Sequence, residues 1–504
     1  MLRLFGKIMI LCLRWRHNLE LSMARETELK LALTSQGARA VQDSFLLPGK
    51  PTNIELHSTY FDTPDHLLSK GGLSLRIRHS DGTRIQTLKG DGVASAGLFV
   101  RSEWERSVDD DRPMIDDATP IPALLGEKVR EIGPIFEVHV HRMIWEIKDN
   151  ETHIEVALDR GEVVAGNRRE PICEIELELK AGVSSALFAW ARRIDAIAAA
   201  HLGVLSKAER GYRLRGAMAR SFKAEPIPLA KDDTAEVAFQ KIVGANVRQF
   251  RLNETLIEEQ NTEALHQARV SLRRLGSALT IFKPVVVDVD YPKIREEIRW
   301  LVGELGKARN IDVVASMAPA NLLDQLENAR AIAYCDVTET LGSTRTRTLL
   351  INLAEWVVNG AWLSQNETGG KRKQSAEVYA REVLRQLRKK LKKSGNLSAC
   401  DDEQRHEVRK TTKKLRFASE FFASLFDSKN ARRRHKRFLD ALERLQNKLG
   451  TLNDFAMMPL VLEQIGLGDF AQSPALLSTS EKAQLLIVAT DAYDELVDAK
   501  RFWK

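Results

Sequence analysis

Charged and apolar residues alternate along the first half of the chain. Glu26, Glu28 and Lys30 occupy every second position, and Arg76 and Arg78 do the same with leucine and isoleucine between them. Successive side chains of a β-strand point to opposite faces. Each run therefore predicts a strand with one charged face and one apolar face.

Several further runs share this period of two. One such strand is usual where a sheet faces solvent. Several strands that each sort acids or bases onto one face instead predict a closed sheet, with a charged lumen and an apolar outer face packed on helices. Such a lumen suits a polyanion that carries divalent cations. The further runs contain Lys89, then Arg101, Glu103 and Glu105, and finally Glu174, Glu176 and Glu178.

Residues 23–222 resemble the CYTH family, the triphosphate tunnel metalloenzymes. Glu26-Thr-Glu-Leu-Lys30 resembles the ExExK motif of that family. The resemblance implies an eight-stranded antiparallel tunnel. It extends through Ser58-Thr-Tyr-Phe-Asp62-Thr, Arg76 and Arg78, Thr87-Leu-Lys89, Arg101-Ser-Glu103-Trp-Glu105, Arg142, Ala157-Leu-Asp159-Arg-Gly161, Glu174 to Glu178 and Ser206-Lys207-Ala-Glu-Arg210-Gly-Tyr212.

From this resemblance, we expect the protein to hydrolyse a linear triphosphate in a reaction that depends on Mg²⁺ or Mn²⁺. Lys207 and Arg210 are expected to close the tunnel over the substrate. The sequence does not identify a general base, and lone histidines such as His57, His66 and His79 are usually solvated. The expected metal ligands are Glu26, Glu28, Asp159, Glu176 and Glu178. The remaining expected catalytic residues are Lys30, Arg76, Arg78, Lys89, Arg101, Glu103 and Arg142.

The second half has the apolar spacing of helices, for example at Leu384, Leu387 and Leu391, and predicts an all-α bundle. The fold class is therefore α+β. An internal repeat lies within the bundle, because the segment from His266 to Leu275 matches the segment from His406 to Leu415, 140 residues later. A second pair of similar segments, at Leu305 and Leu449, has a similar offset. The bundle is therefore expected to consist of two related halves.

The repeated segments place cations along one helix face. They resemble the CHAD domain, whose histidines, arginines and lysines are associated with binding inorganic polyphosphate. A departure from that family is Asn310, where aspartate is common. A solvated face remains the alternative for the basic stretch from Lys371 to Lys393. The expected polyphosphate-binding residues are His266, Arg269, Arg273, Arg274, His406, Arg409, Lys410, Lys413 and Lys414.

Charge supports this division of the 504 residues. Residues 23–222 hold 27 basic against 30 acidic residues, and residues 223–504 hold 45 against 38. We expect a linker at 223–233, a helical domain at 234–504, and an extension from an upstream start codon at 1–22. The basic stripes lack interleaved aromatic residues, which disfavours nucleic acid. Four dispersed cysteines and the absence of an apolar run long enough for a membrane span indicate a cytoplasmic protein.

The resemblance leaves three classes of substrate open. CYTH relatives act on ATP as adenylate cyclases, on thiamine triphosphate or on inorganic triphosphate. No segment has the aromatic content that would indicate a binding site for a nucleotide base or a thiamine ring. Fusion to a CHAD-like domain favours inorganic triphosphate. The alternative class is a polyphosphate-binding protein without turnover. The oligomeric state cannot be read from the sequence.

Overall fold

The computed structural model describes residues 24–90, 93–95, 97–149, 151–257, 260–395, 397–470 and 479–503. The expected extension at 1–22 lies outside these residues. The chain divides into two compact units with their boundary between Ala219 and Arg220, and residues 350–355 belong with the first. Within the described residues, no helix has both the length and the apolar character required to cross a bilayer.

A closed antiparallel sheet forms the first unit. In the sheet the strands follow the order β10-β1-β9-β8-β7-β2-β3-β4-β6-β5, and β1 also pairs with β6. That last pairing closes eight strands into a barrel and leaves the short β5 and β10 outside the ring. The predicted eight-stranded tunnel is confirmed. The strands are β1 (Ala24–Ala32), β2 (Thr52–Asp62), β3 (Leu73–Ser80), β4 (Thr83–Gly90), β5 (Val93–Ser95), β6 (Leu98–Ser107), β7 (Gly133–Asp149), β8 (Thr152–Ala165), β9 (Arg168–Ala181) and β10 (His201–Leu202).

Helices cover the apolar outer face of this barrel. Leu29 and Leu177 point outward and are fully buried, because α4 packs on β1 and β9. Leu75 and Ile77, the apolar partners of the two alternating arginines, form a second outer core with Ile121 of α3. The outward packing expected from the alternation is confirmed. The helices of this unit are α1 (Ser35–Asp43), α2 (Leu67–Lys70), α3 (Ile121–Leu125), α4 (Ser185–Ala198) and α5 (Lys207–Arg215).

Helix α5 packs against the inner face of the barrel. It begins with a capping box in which Ser206 and Glu209 satisfy each other's backbone N–H groups. Ala208 joins a core with Phe136 and Val138, which point inward from β7. A Cβ on Gly211 would lie only 2.1 Å from the Phe136 ring. This part of the lumen is thus apolar and filled by a helix, whereas the sequence predicted a polar lumen throughout.

The second unit is all-helical and consists of two halves with the same packing pattern. In the first half α6, α7, α9 and α10 pack consecutively, and in the second α13, α14, α15 and α16 do so. The expected internal repeat is confirmed. The helices are α6 (Ala235–Glu254), α7 (Thr262–Ile281), α8 (Lys283–Val286), α9 (Tyr291–Met317), α10 (Leu323–Gly342), α11 (Thr344–Asn359), α12 (Asn366–Arg372), α13 (Ala376–Lys392), α14 (Asp402–Phe421), α15 (Lys429–Gln464) and α16 (Thr479–Asp498).

The two halves meet symmetrically where each begins. Thr234 and Ser375, which precede α6 and α13, form an antiparallel bridge. Equivalent helices also pack on one another, α6 on α13, α7 on α14 and α9 on α15. Within the expected linker, Ile227 and Leu229 are buried, and the Ile227 carbonyl accepts a hydrogen bond from Ser424.

Candidate active site and basic cluster

Strand register brings distant charges together on the inward faces of β1, β7, β8 and β9. Lys30 lies opposite Glu176 in the ladder of β1 and β9. Asp159 of β8 lies opposite Glu174 on one side and Arg142 on the other. Directly opposed side chains on one face of a sheet are close enough to interact. Residues separated by up to 146 positions in sequence therefore share one site.

Three carboxylates, Asp159, Glu174 and Glu176, form what we term the carboxylate triad. One oxygen of each lies within 4.8 Å of the others, and Asp159 is fully buried. Asp159 and Glu176 were expected metal ligands, whereas Glu174 was not among them. The signal was present, because Glu174 alternates in the same run as Glu176.

Lys207 of α5 lies among the three carboxylates of the triad. Its Nζ lies 2.6 Å from Asp159, 2.6 Å from Glu174 and 2.8 Å from Glu176. Burial alone would lower the pKa of Lys207, but the three carboxylates raise it above its ordinary value. The lysine is therefore a fixed positive charge, and the triad is already neutralised in part by the chain itself.

Lys30 and Arg142 flank the triad. Arg142 donates two hydrogen bonds to Asp159, at 2.7 and 2.6 Å, and another to Glu176. Lys30 donates to Glu176 and lies 3.5 Å from Glu28. Burial would raise the pKa of Glu176, but Lys207, Lys30 and Arg142 hold it well below its usual value. Glu176 is thus a permanent carboxylate, as a metal ligand must be.

Two expected metal ligands on β1 lie against other cations. Glu26 accepts hydrogen bonds from Lys89 at 2.9 and 2.7 Å, and Lys89 lies 3.2 Å from Glu103. Glu28, which is buried, accepts a hydrogen bond from Arg101. These pairs line the lumen, but the structure does not bring Glu26 or Glu28 into the triad.

Glu178 and Arg210 lie at the margins of this arrangement. Glu178 is paired with Lys180 at 2.7 Å, and burial raises the pKa of Glu178. Arg210 of α5 contacts Glu170 at 3.1 Å and Glu174 at 3.2 Å. Arg210 therefore connects α5 to the triad, whereas Glu178 lies outside it.

Arg76 and Arg78 supply positive charge without a carboxylate partner. Among the described residues, no carboxylate lies within ion-pair distance of either guanidinium, and the buried Nε of each lacks an acceptor. Burial, together with the nearby Arg76 and Arg142, lowers the pKa of Arg78 to about 10. Burial also disfavours charge on Arg76, but Tyr60, Glu103 and Glu105 raise its pKa. A buried cation without a partner is costly unless an anion binds it.

The carboxylate triad fits a hard divalent cation. Its donors are carboxylate oxygens, which Mg²⁺ and Mn²⁺ prefer over nitrogen or sulfur. Burial would raise the pKa of Asp159 and of Glu176, but Lys207 and Arg142 hold both below their ordinary values. The residues present therefore match the metal dependence expected from the sequence. The histidines considered earlier do not join the site, because His57 and His79 are on the outward face of β2 and β3.

A cluster of guanidiniums occurs in the second unit, between the repeated helices α7 and α14. Burial lowers the pKa of Arg269, of Arg409 and, to about 9, of Arg273. Repulsion from neighbouring arginines adds to burial at Arg269 and Arg273. The carboxylate of Asp454 opposes this effect and raises the pKa of all three arginines. We call Arg269, Arg273, Arg309 and Arg409 the arginine cluster; Arg309 was not among the expected polyphosphate-binding residues.

Arg274 has a different environment from its neighbour Arg273. It is buried, donates to Asn246 at 3.0 Å and pairs with Glu420. Its guanidinium also lies 4.9 Å from the centre of the Phe421 ring. The structure therefore places Arg274 in the interior of the bundle, away from the cluster.

The remaining expected polyphosphate ligands lie around the arginine cluster or on the surface beside it. His266 is half-buried, and burial and Arg309 lower its pKa. Lys413 is half-buried on the same helix as Arg409, and His406 is exposed. Lys410 is exposed and paired with Glu407. Lys414 is near Lys390, and its pKa is lowered by burial and by that lysine.

Two family models match the chain. The CYTH domain matches residues 24–212 and the CHAD domain matches residues 241–463. Among curated proteins, the chain is similar to the inorganic triphosphatase of Haemophilus influenzae, with 36% identity over 202 residues. That match covers 38% of this chain and 55% of the relative, so it spans about half the length of the curated protein.

Parts of the chain are also similar to solved structures. The CHAD domain from the plant Ricinus communis is 27% identical, with a TM-score of 0.48, over 55% of this chain and 97% of that one. An adenylyl cyclase candidate from Hippeastrum with a dominant triphosphatase activity is 22% identical, with a TM-score of 0.29. That similarity covers 36% of this chain and 92% of the Hippeastrum chain.

Proposed function

Because the chain carries a CYTH domain followed by a CHAD domain, we propose that its barrel hydrolyses inorganic triphosphate to diphosphate and phosphate. One observation carries the proposal. Within a single lumen, guanidiniums without carboxylate partners lie near a carboxylate triad that suits a divalent cation. This is the pairing of charges that a metal–triphosphate complex requires.

The anion would bind first to Arg76 and Arg78. Both guanidiniums lie on one strand face, and Arg78 is close enough to Arg142 for their repulsion to lower its pKa. A phosphate chain placed there relieves that repulsion, and the planar guanidinium groups orient its oxygens. Lys89 and Arg101 line the same lumen and would hold the next phosphates.

The triad would hold Mg²⁺ or Mn²⁺ beside the phosphates. A bound divalent ion neutralises charge that develops on the bridging oxygen and lowers the pKa of water. Arg142 contacts two members of the triad, and so it fixes their oxygens while remaining next to Arg78. The chain thus positions donor oxygens and guanidiniums before substrate arrives, which is the main requirement for phosphoryl transfer.

The lumen favours a substrate without a base or ring. Trp104 and Trp145, the tryptophans of the strands, lie on outward positions, and Trp145 is buried there. Of the inward-facing rings, Tyr60 and Phe136 are stacked on each other at 4.6 Å and are covered by α5, and Phe99 is buried beneath Lys30 and Arg101. ATP and thiamine triphosphate remain the competing substrates, and the assay below includes both.

The test is phosphate release by the full-length protein with Mg²⁺ or Mn²⁺. Inorganic triphosphate, ATP, thiamine triphosphate and long-chain polyphosphate are compared at equal concentration. We expect a preference for triphosphate. Arg78→Gln should lower kcat by about 100- to 1000-fold, the usual effect of losing one charge-stabilising group. Arg106→Gln, which removes an arginine paired with Asp116 on the outer face, is the matched control and should retain activity.

Other results would change the proposed substrate or the proposed reaction. A preference for ATP or thiamine triphosphate would replace the proposed substrate while keeping the reaction. No release from any of the four compounds would overturn the proposed hydrolysis and favour a binding protein.

We also propose that the second unit binds inorganic polyphosphate through the arginine cluster. The supporting observation is that burial lowers the pKa of Arg269, Arg273 and Arg409, and that repulsion from neighbouring arginines, Arg409 among them, lowers it further at Arg269 and Arg273. A bound linear polyanion would offset that repulsion and would contact arginines from both repeats. Binding should weaken steeply with salt, because bound counterions are released.

Polyphosphate binding can be measured by titrating labelled long-chain polyphosphate. We expect the double variant Arg269→Ala, Arg409→Ala to bind at least tenfold more weakly, with triphosphate hydrolysis unchanged. Arg345→Ala, which removes an exposed arginine paired with Glu297, serves as control. Equal affinity in the wild-type protein and the double variant would exclude the cluster as the binding site.

A further inference from the structure

Gly306 lies in the interior of α9, on the side that packs against α7. It is buried, and a Cβ at this position would lie 3.3 Å from Nη2 and 3.5 Å from Nε of Arg269. An ordinary van der Waals contact of a Cβ is 3.4–4 Å. Glycine is among the least favourable residues inside a helix. Its presence here is explained by the Arg269 guanidinium, which covers the backbone of α9 where a side chain would otherwise lie.

The second half of the bundle contains the equivalent pair of residues but not this contact. In the internal repeat, Gly450 of α15 matches Gly306 of α9, and Arg409 of α14 matches Arg269 of α7. A Cβ at Gly450 would have no described atom beyond its own stretch of helix within 4 Å. Arg409 therefore does not cover the glycine of its own half. The two halves thus hold their equivalent arginines differently, although the repeated sequence is the same at both positions.

The contact with α9 confines the Arg269 guanidinium within the arginine cluster. The buried Nε of Arg269 has no acceptor among the described residues, so no hydrogen bond at that atom fixes the group. Arg309 follows Gly306 by three residues and therefore lies on the same face of α9. A long side chain that is already confined loses less conformational freedom when it binds a ligand. Packing on α9 thus prepares the Arg269 guanidinium for an anion before the anion arrives.

We propose that Gly306 is a positioning residue for polyphosphate, because it allows α9 to hold the Arg269 guanidinium in place within the arginine cluster. The inference rests on the proposed polyphosphate binding and identifies a residue that acts on the polyanion only through another side chain. Arg409 lacks this support from its own glycine, and so the polyanion itself must order it. The cluster thus combines one arginine held in advance by packing with one that adjusts to the bound polyanion.

The test titrates labelled long-chain polyphosphate into the full-length protein and its alanine variants. In Gly306→Ala the new methyl group displaces the guanidinium, which must then be ordered during binding, and so polyphosphate should bind roughly 2- to 10-fold more weakly. Gly450→Ala is the matched control, because it adds the same methyl group in open space, and it should leave the affinity unchanged. Urea unfolding confirms that each variant is folded. The control should be more stable than the wild-type protein, because alanine favours the helix.

A double-mutant cycle measures whether Gly306 acts through Arg269. When Arg269→Ala is already present, Gly306→Ala should change the polyphosphate affinity by less than about twofold, because the side chain that it displaces is absent. The same loss of affinity in both backgrounds, or equal affinity of Gly306→Ala and the wild-type protein, would overturn the inference while leaving the proposed function intact. A wild-type protein that does not bind polyphosphate would instead overturn the proposed function of the second unit, and this inference with it.

Discussion

Replacing Lys207 by methionine tests the electrostatics of the tunnel most directly. The ammonium lies within 2.6–2.8 Å of all three carboxylates of the triad. Methionine retains most of the side-chain volume, so the substitution removes the charge with little change in packing. In the variant, Lys30, Arg142 and Arg210 still contact the triad.

The expected size of the change in Mn²⁺ affinity follows from the burial of Lys207 and its partners. The Lys207 side chain is 10% exposed, and those of its partners are between 0% and 12% exposed. Removing one partner of a buried ion pair destabilises a protein by about 3–5 kcal/mol. A divalent ion bound to the triad would recover much of this loss. If about 3 kcal/mol is recovered, Mn²⁺ should bind about 100-fold more tightly to the variant, at about 1.4 kcal/mol per tenfold.

Calorimetric titration with Mn²⁺ measures the affinity without depending on turnover. Lys180→Met is the matched control, because Lys180 is 35% exposed and pairs with Glu155 and Glu178 rather than with the triad. We expect tighter Mn²⁺ binding in Lys207→Met and little change in the control. Equal or weaker Mn²⁺ binding in the Lys207 variant would refute the idea that ammonium and metal compete for the same carboxylates.

Three other outcomes are expected. Gly211→Ala should destabilise the first unit by about 1–3 kcal/mol in urea unfolding, because its Cβ would overlap an aromatic ring at 2.1 Å; Gly216→Ala, whose nearest contact is 3.4 Å, should not. The pKa of Glu176 is depressed in the fold, so its stabilisation is present above pH 4.5 and lost as pH falls below it; Glu176→Gln should flatten that acid limb. Arg274→Leu should destabilise the second unit by roughly 1–3 kcal/mol, because the ion pair with Glu420 is lost while Glu420 keeps its contact with Arg416, and a loss of polyphosphate binding without loss of stability would contradict this.

The local sequence pattern was sufficient to predict much of the barrel. A strand has a side-chain period of two, so Arg76 and Arg78 had to share a face whatever their neighbours were. The sorting of charges then predicted an outward apolar face, which is confirmed, and an inward charged face, which holds except where α5 fills an apolar part of the lumen. In the helical half, sequence similarity between the segments at His266 and His406 predicted the repeat, because similar sequences adopt similar helices.

The ion pairs that form across the lumen could not be predicted from this local pattern. Glu174 and Glu178 share one strand face, yet Glu174 joins the triad and Glu178 pairs with Lys180. The difference arises from strand register and from α5, which brings Lys207 to one end of the run. Register and helix docking are decided by contacts between distant segments, which no local period contains.

The same limit applies in the helical half. Arg273 and Arg274 are adjacent and chemically identical, and a helical pattern places both on a broad basic stripe. Packing of α7 against α14 buries Arg274 beside Glu420 and leaves Arg273 in the arginine cluster. The sequence by itself thus determined which residues carry charge and which face each strand presents. Only the tertiary structure decided which charges are neutralised inside the fold and which remain available for an anion, because ion pairing depends on distances across the closed barrel and the packed bundle.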